Sequence, residues 1–264
     1  MGVLNVTPDS FSDGGDYLDL AAAVAHGFEL AAEGADLVDV GGESTRPGAG
    51  RVHLDAELER VVPVIEQLSR AGIPVSVDTT RHEVALASVA AGAVLVNDVS
   101  GGLADPQMLA AVAELDCAYL AMHWRGHSAD MQSRAVYRDV VAEVIEELAE
   151  RVDAAVAAGI SRDRLVVDPG LGFAKTVDHN WELLRGLDRF DALGLPVLVG
   201  TSRKRFLGEL LADGNGDLRP PKERDDATVA LTALLAVSGV WGVRTHTVRP
   251  QLDAIKVGGM WQRG

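Results

Sequence analysis

One cysteine in 264 residues cannot form an internal disulfide, so a reducing compartment is expected. Lysine is nearly as scarce: Lys175, Lys204, Lys222 and Lys256 are the only ones among 24 basic side chains. A lysine inside a compact motif is therefore a signal. The longest apolar stretch, 229–243, is broken by Thr232, Ser238 and two glycines. It is shorter than the ~20 residues of a membrane span and reads as a buried helix running into a strand. The start lacks the basic region of a signal peptide, and Val6 stands where a myristoylation signal needs Ser or Thr. A cytoplasmic protein with no membrane contact is expected. Positive charge is in deficit overall, 24 basic against 39 acidic residues for a net −15. Such a field repels nucleic acid, and an anionic ligand would need a local cationic pocket. The chain also lacks G-x-G-x-x-G, a phosphate loop and a G-x-S-x-G elbow around Ser202, which argues against dinucleotide binding, phosphate-loop nucleotide chemistry and serine hydrolysis.

What is present is a repeating unit. Eight short, continuously apolar, β-branched runs (2–7, 36–41, 74–79, 94–99, 118–124, 164–168, 196–200 and 241–246) alternate with amphipathic stretches such as 20–32, 54–71, 81–91, 140–158 and 227–238. Continuous apolar runs suit a parallel sheet covered on both faces. Gly34, Gly72, Gly92, Gly159, Gly194 and Gly239 fall where helix C-caps are expected, just before the next strand. Eight such units in this length predict an α/β fold, a single-domain (β/α)₈ TIM barrel over 1–264. The polar stretch 213–222 is an insertion after the seventh strand, expected to be mobile.

Barrel enzymes build their sites at the C-terminal ends of strands, and polar residues collect there. The strand ends carry Asn5, Asp78, Asn97 with Asp98, His123, Asp168, Ser202-Arg203-Lys204, and Arg244 with His246. One such residue could be a helix cap; a ring of them is costly to bury without a ligand. Asp78 and Asp168 accept, Asn97 does both and Lys204 donates, a set that complements a flat heterocycle with an amidine-like edge and a carbonyl. Arg46, Arg244 and His246 offer an adjacent anion subsite. Two Gly-rich loops, 7–15 and 41–48, lie on the same rim and could close over it. His123 and His127 lack the helical spacing and third ligand of a zinc site. Cys117 has no activating neighbour, and Trp181 and Trp261 read as packing residues.

These stretches together resemble a family. Gly2-Val3-Leu4-Asn5-Val6-Thr7-Pro8-Asp9-Ser10-Phe11-Ser12-Asp13-Gly14-Gly15, Asp39-Val40-Gly41-Gly42-Glu43-Ser44-Thr45-Arg46-Pro47-Gly48, Ser76-Val77-Asp78-Thr79, Asn97-Asp98-Val99, Met122-His123, the run from Asp168 to Lys175, Ser202-Arg203-Lys204 and Arg244-Thr245-His246 follow the order of bacterial, actinobacterial-like dihydropteroate synthases. The resemblance covers essentially the whole chain. It implies a transferase of folate biosynthesis, the target of sulfonamides, that joins 6-hydroxymethyl-7,8-dihydropterin pyrophosphate to p-aminobenzoate.

Carried over residue by residue, it implies pterin contacts from Asp78, Asn97, Asp168 and Lys204. Pyrophosphate contacts fall to Asn5, Arg46, Arg244 and His246, with Asn5 also a ligand of Mg²⁺. The p-aminobenzoate pocket is implied at Phe11, Thr45, Arg46, Pro47, Phe173 and Ser202, and Asp13 faces the reacting carbon. The catalytic set is thus Asp13, Lys204, Arg244 and His246. Its partners are small-molecule substrates and a second copy in a homodimer. Thr245 and Thr247 depart from the family pattern and are expected to face the barrel wall. The alternatives are a non-catalytic pterin-binding paralogue and, with less support from the motifs, a methyltetrahydrofolate methyltransferase on the same kind of barrel.

Overall fold

The structure, a computed structural model, describes residues 1–6, 16–43, 52–126 and 131–262. Strands and helices alternate along it: β1 (Gly2–Asn5), α1 (Asp16–Ala32), β2 (Val38–Gly41), α2 (Leu54–Arg70), β3 (Val75–Asp78), α3 (His82–Ala90), β4 (Leu95–Asp98), α4 (Met108–Ala113) and β5 (Ala118–Met122) come first. There follow α5 (Val140–Ala157), β6 (Leu165–Asp168), α6 (Val177–Arg185), β7 (Leu198–Gly200), α7 (Arg205–Leu210), α8 (Asp225–Val237), β8 (Gly242–Arg244) and α9 (Val248–Gln262). Each predicted run contains a strand. The helices that amphipathic periodicity missed are the six-residue α4 and α7, the nine-residue α6, and α9 with its Pro250 and Gly258-Gly259. Short or glycine-bearing helices leave too few turns for a period to show.

Strands β1 to β6 form one parallel sheet in sequence order, and β7 pairs in parallel with β8. Bridges between Val167 and Val197 and between Gly2 and Thr245 join the two pieces, closing the (β/α)₈ barrel. The six glycines expected to end helices all have left-handed φ, from 59° at Gly194 to 110° at Gly92. At Gly92 the requirement is doubled: an added Cβ would also run into the hydroxyl of Ser69, which donates to the Ala91 carbonyl.

Strand alternation makes two apolar layers. Val38, Val40, Val75, Val77, Val96, Tyr119, Val167, Val199 and Val243 point outward into the main core under the helices. Leu95, Leu120, Met122, Val166 and Leu198 point inward and plug the barrel, with Met1 and Leu37 beside them. Both faces of every strand are thus covered, which is why the runs read as continuously apolar.

The polar stretch after β7 is exposed and carries local turn hydrogen bonds. Asp213 accepts from the backbone N–H groups of Asn215 and Asp217, and the Arg224 guanidinium, two residues past the stretch, donates to the carbonyls of Arg219 and Arg203.

Candidate active site

Period-two alternation decides which strand-end residues reach the interior. On β4, Asn97 points inward and Asp98 outward. Asp98 accepts from Ser100, Gly102 and the Tyr119 hydroxyl and so shapes the turn after its strand. One step past β5, His123 continues the ladder by donating its N–H to the Asp168 carbonyl, 2.9 Å. Its ring turns outward to Glu147 on α5, 3.0 Å away. Both belong to the helix side of the wall, which corrects their placement in the polar ring.

The inward set meets in one cavity. Asn97, Asp168, Phe173, Ser202, Lys204, Arg244 and His246 line it, over a floor that includes Val3, Val99 and Met122. Its free space is about 50 Å³, well below the ~300 Å³ typical of small-molecule pockets. Lys204 and Phe173 close in on each other there: the ammonium sits 4.5 Å from the ring centroid and donates to the Leu171 carbonyl at 2.6 Å. The Lys204 head and the Phe173 ring thus fill part of the cavity themselves.

Beneath the cavity lies a cluster of buried charges. The Arg244 guanidinium donates from Nε to Asp39 and from Nη2 to Asp78, both at 2.6 Å. Asp39 is fully buried and also accepts from Ser76 at 2.6 Å and Asn97 at 3.1 Å. Burial opposes the charge on Arg244, but Asp39 and Asp78 outweigh it and hold its pKa above the ordinary value. Asp78 is pushed up to about 7 by burial, against the pull of Arg244 and with Asp39 adding to the push. It stands one hydrogen bond behind the cavity lining. Asp39 is not among the strand-end residues to which the sequence points. Its signal was a carboxylate between Val38 and Val40 in an apolar strand, a place that demands a buried partner.

Asp168 accepts from the Gly170 N–H at 2.7 Å. Burial raises its pKa, opposed by Gly170, Lys204, Arg244 and Lys175. Lys204 is pushed down to about 8 by desolvation, partly offset by Asp168. The turn that presents Lys204 is braced from outside. Arg203 adopts a left-handed φ of 58° and forms a bidentate pair with Asp225 at 2.7 and 2.8 Å, while Arg224 holds the Arg203 carbonyl. Arg224 and Asp225, just past the inserted stretch, thus support the site. Ser202 Oγ lies 2.9 Å from His246 Nδ1 and accepts from the His246 backbone at 3.2 Å. Thr245 is buried, its hydroxyl accepting from the Thr247 N–H.

Asn5 ends β1 opposite Gly41, and its amide makes no hydrogen bond among the described residues. Phe11, Asp13, Thr45, Arg46 and Pro47, with most of both rim loops, lie outside the described residues. Cys117 is buried, and burial raises its thiol pKa. Trp181 packs edge-on against Phe206 at 5.3 Å, as expected, whereas Trp261 is 79% exposed and packs little.

The charge cluster makes a stability prediction. The folded-state pKa of Asp78 lies near 7 against an ordinary 3.8, so between those values the folded protein holds a proton that the unfolded chain has released. Stability from this group is present at low pH and lost as pH rises toward 7. Asp78→Asn still accepts from Arg244 without the charge. It should be more resistant to urea than wild type at pH 8 by on the order of 1–3 kcal/mol, with the difference vanishing near pH 4. Equal or lower resistance of the variant at pH 8 would refute the placement of this buried carboxylate.

Comparison with known proteins gives the family. The pterin binding enzyme family matches residues 1–246. The chain is 57% identical over 262 residues to a dihydropteroate synthase of Mycobacterium leprae, covering 99% of this chain and 92% of that protein. Among solved structures, a Xanthomonas albilineans dihydropteroate synthase with 4-aminobenzoic acid superposes with a TM-score of 0.91 at 48% identity, covering 100% of this chain and 93% of that one. The same organism's enzyme in complex with 7,8-dihydropteroate gives a TM-score of 0.88 at 46% identity, again covering 100% and 93%. With its barrel, inward polar cluster and sequence in agreement over nearly its full length, the chain belongs to the pterin-binding enzymes and, among them, to the dihydropteroate synthases, transferases of folate biosynthesis.

Proposed function

We propose that this chain condenses 6-hydroxymethyl-7,8-dihydropterin pyrophosphate with p-aminobenzoate through the residues that meet in the strand-end cavity. The carrying observation is the convergence of Asp168, Asn97 and Lys204 on one cavity. The Asp168 carboxylate accepts from the pterin amino group and ring N–H, Lys204 donates to the carbonyl side, and Asn97 spans both needs. Asp78, held by Arg244 at 2.6 Å, completes the assigned pterin contacts. Arg244 spends two of its five N–H donors on Asp39 and Asp78, leaving the others for pyrophosphate alongside His246. Ser202 and Phe173 border the p-aminobenzoate side. Asp13, facing the reacting carbon, and Phe11, Thr45, Arg46 and Pro47 complete the assignment.

The chemistry is an ionisation. The bond from the pterin methylene carbon to pyrophosphate oxygen breaks, its electron pair leaving with pyrophosphate. Cationic side chains offset the departing charge. The aniline nitrogen of p-aminobenzoate then forms the new C–N bond and sheds a proton.

Asn5 is the residue assigned to Mg²⁺. A single neutral amide oxygen, not engaged by other described residues, suits an ion that keeps most of its waters and relies on substrate oxygens. When bound, the ion supplies charge neutralisation at pyrophosphate. The assembly assigned is a homodimer through the outer face of α8 and α9. Leu234, Val257, Met260 and Trp261 are exposed there, with Trp241 exposed in the connection after α8, and apolar exposure of this kind marks contact surfaces. No helix among the described residues is long and apolar enough to cross a membrane.

Three outcomes test these assignments. Asp168→Asn presents a donor to a donor edge and should lose on the order of 2–4 kcal/mol of pterin pyrophosphate affinity by calorimetry; unchanged binding would remove Asp168 from the clamp. Mg²⁺ should bind the free protein weakly and bind well once pyrophosphate is added, so tight binding to the protein alone contradicts the Asn5 role. Sedimentation should show a dimer that Trp261→Glu weakens, and a concentration-independent monomer would refute the α8–α9 interface.

A further inference from the structure

Lys175 is buried to 3% exposure and lies outside the cavity lining. Its ammonium donates to the Phe173 carbonyl at 3.0 Å and contacts His123 Nδ1 at 2.9 Å. An ammonium can only donate, so His123 Nδ1 accepts and its Nε2–H is directed to Glu147 at 3.0 Å. Glu147 in turn receives the Arg125 guanidinium, which covers the Tyr137 ring at 3.8 Å. The Tyr137 hydroxyl comes back to the same turn, donating to the Ala174 carbonyl at 3.0 Å. Two consecutive carbonyls, Phe173 and Ala174, are therefore caught from the helix side by two ends of one network.

The turn they hold is strained. Gly170 and Gly172 have φ of 68° and 80°, and Ala174 is left-handed at 49° without being glycine. Such a conformation persists only where surrounding contacts over-determine it. On its inner side the same turn presents the Phe173 ring to the cavity and the Leu171 carbonyl to Lys204.

We infer that Lys175 is a positioning residue for p-aminobenzoate, its ammonium, oriented by His123 and Glu147, fixing the strained turn so that the Phe173 ring stands as the wall of that pocket. The charge states fit this geometry. His123 is pushed down to about 4 by burial and by Lys175, so it stays neutral and can accept. Burial works to raise Glu147, but hydrogen bonds from His123 and Arg125 outweigh it and hold it down at about 2, ionised at the outer end. Lys175 itself is pushed down to about 7 by burial; even uncharged, its amine keeps two N–H donors for the two acceptors. The inference rests on the assignment of Phe173 to the p-aminobenzoate pocket proposed above.

The test is a double-mutant cycle on the full chain, read by steady-state kinetics and direct titration. Lys175→Met should raise the p-aminobenzoate KM about tenfold while pterin pyrophosphate affinity and kcat stay within about threefold. Phe173→Leu should raise the same KM, and the double variant should be no worse than the more affected single one, because both act through one ring. Where Lys175→Met fails to fold, Glu147→Ala, on a partly exposed side chain, should give the same selective KM rise at about threefold. An unchanged p-aminobenzoate KM in the folded variants, or effects that multiply independently in the double variant, would overturn the inference. A wild-type protein that makes no dihydropteroate would instead overturn the function on which it rests.

Discussion

Everything inside the barrel is arranged around one guanidinium. Arg244, on the last strand, reaches across to Asp39 on β2 and Asp78 on β3, groups 205 and 166 residues away in sequence. Two carboxylates this close and this buried repel one another and desolvate badly, and only a cation shared between them makes the arrangement tolerable. The same contacts stitch β8 to β2 and β3 across the barrel, close to where Gly2 bridges Thr245. Charge compensation and closure are therefore one event. Above the cluster, burial holds Lys204 below its ordinary pKa and Asp168 above its own, while the Arg244 charge pulls both down.

Around that centre the protein keeps its polar chemistry in two separate layers. The inward layer consists of Asn97, Asp168, Lys204 and Arg244 and faces a ligand. The outward layer, from Lys175 through His123 and Glu147 to Arg125 and Tyr137, faces the helices and is satisfied within itself. The two touch through the Gly170–Ala174 turn. A similar division runs at the next strand, where Arg203 and Arg224 brace the turn from outside while Lys204 works inside. Strain at Ala174 and Arg203, both left-handed without being glycine, marks the places where outer packing imposes inner geometry.

The sequence by itself determined the architecture. Eight apolar runs punctuated by glycines at left-handed helix ends can be satisfied by a closed parallel barrel with covered faces, and the strand-end residues Asn97, Asp168, Lys204 and Arg244 could be named because polar groups there have few structural uses. The tertiary structure decided which of two neighbours looks inward. Asn97 and Asp98, or Met122 and His123, are adjacent in sequence and opposite in space, because side chains alternate and the starting phase of a short strand is set by its register with its partners. It also decided that Asp39, hidden in an apolar strand, belongs to the site, since only barrel closure brings Arg244 to it. Lys175 was legible as part of a motif, but not as the outer anchor of Phe173. Its partners come from β5, α5 and the turn after β6, and side chains that distant in sequence meet only once the chain has packed.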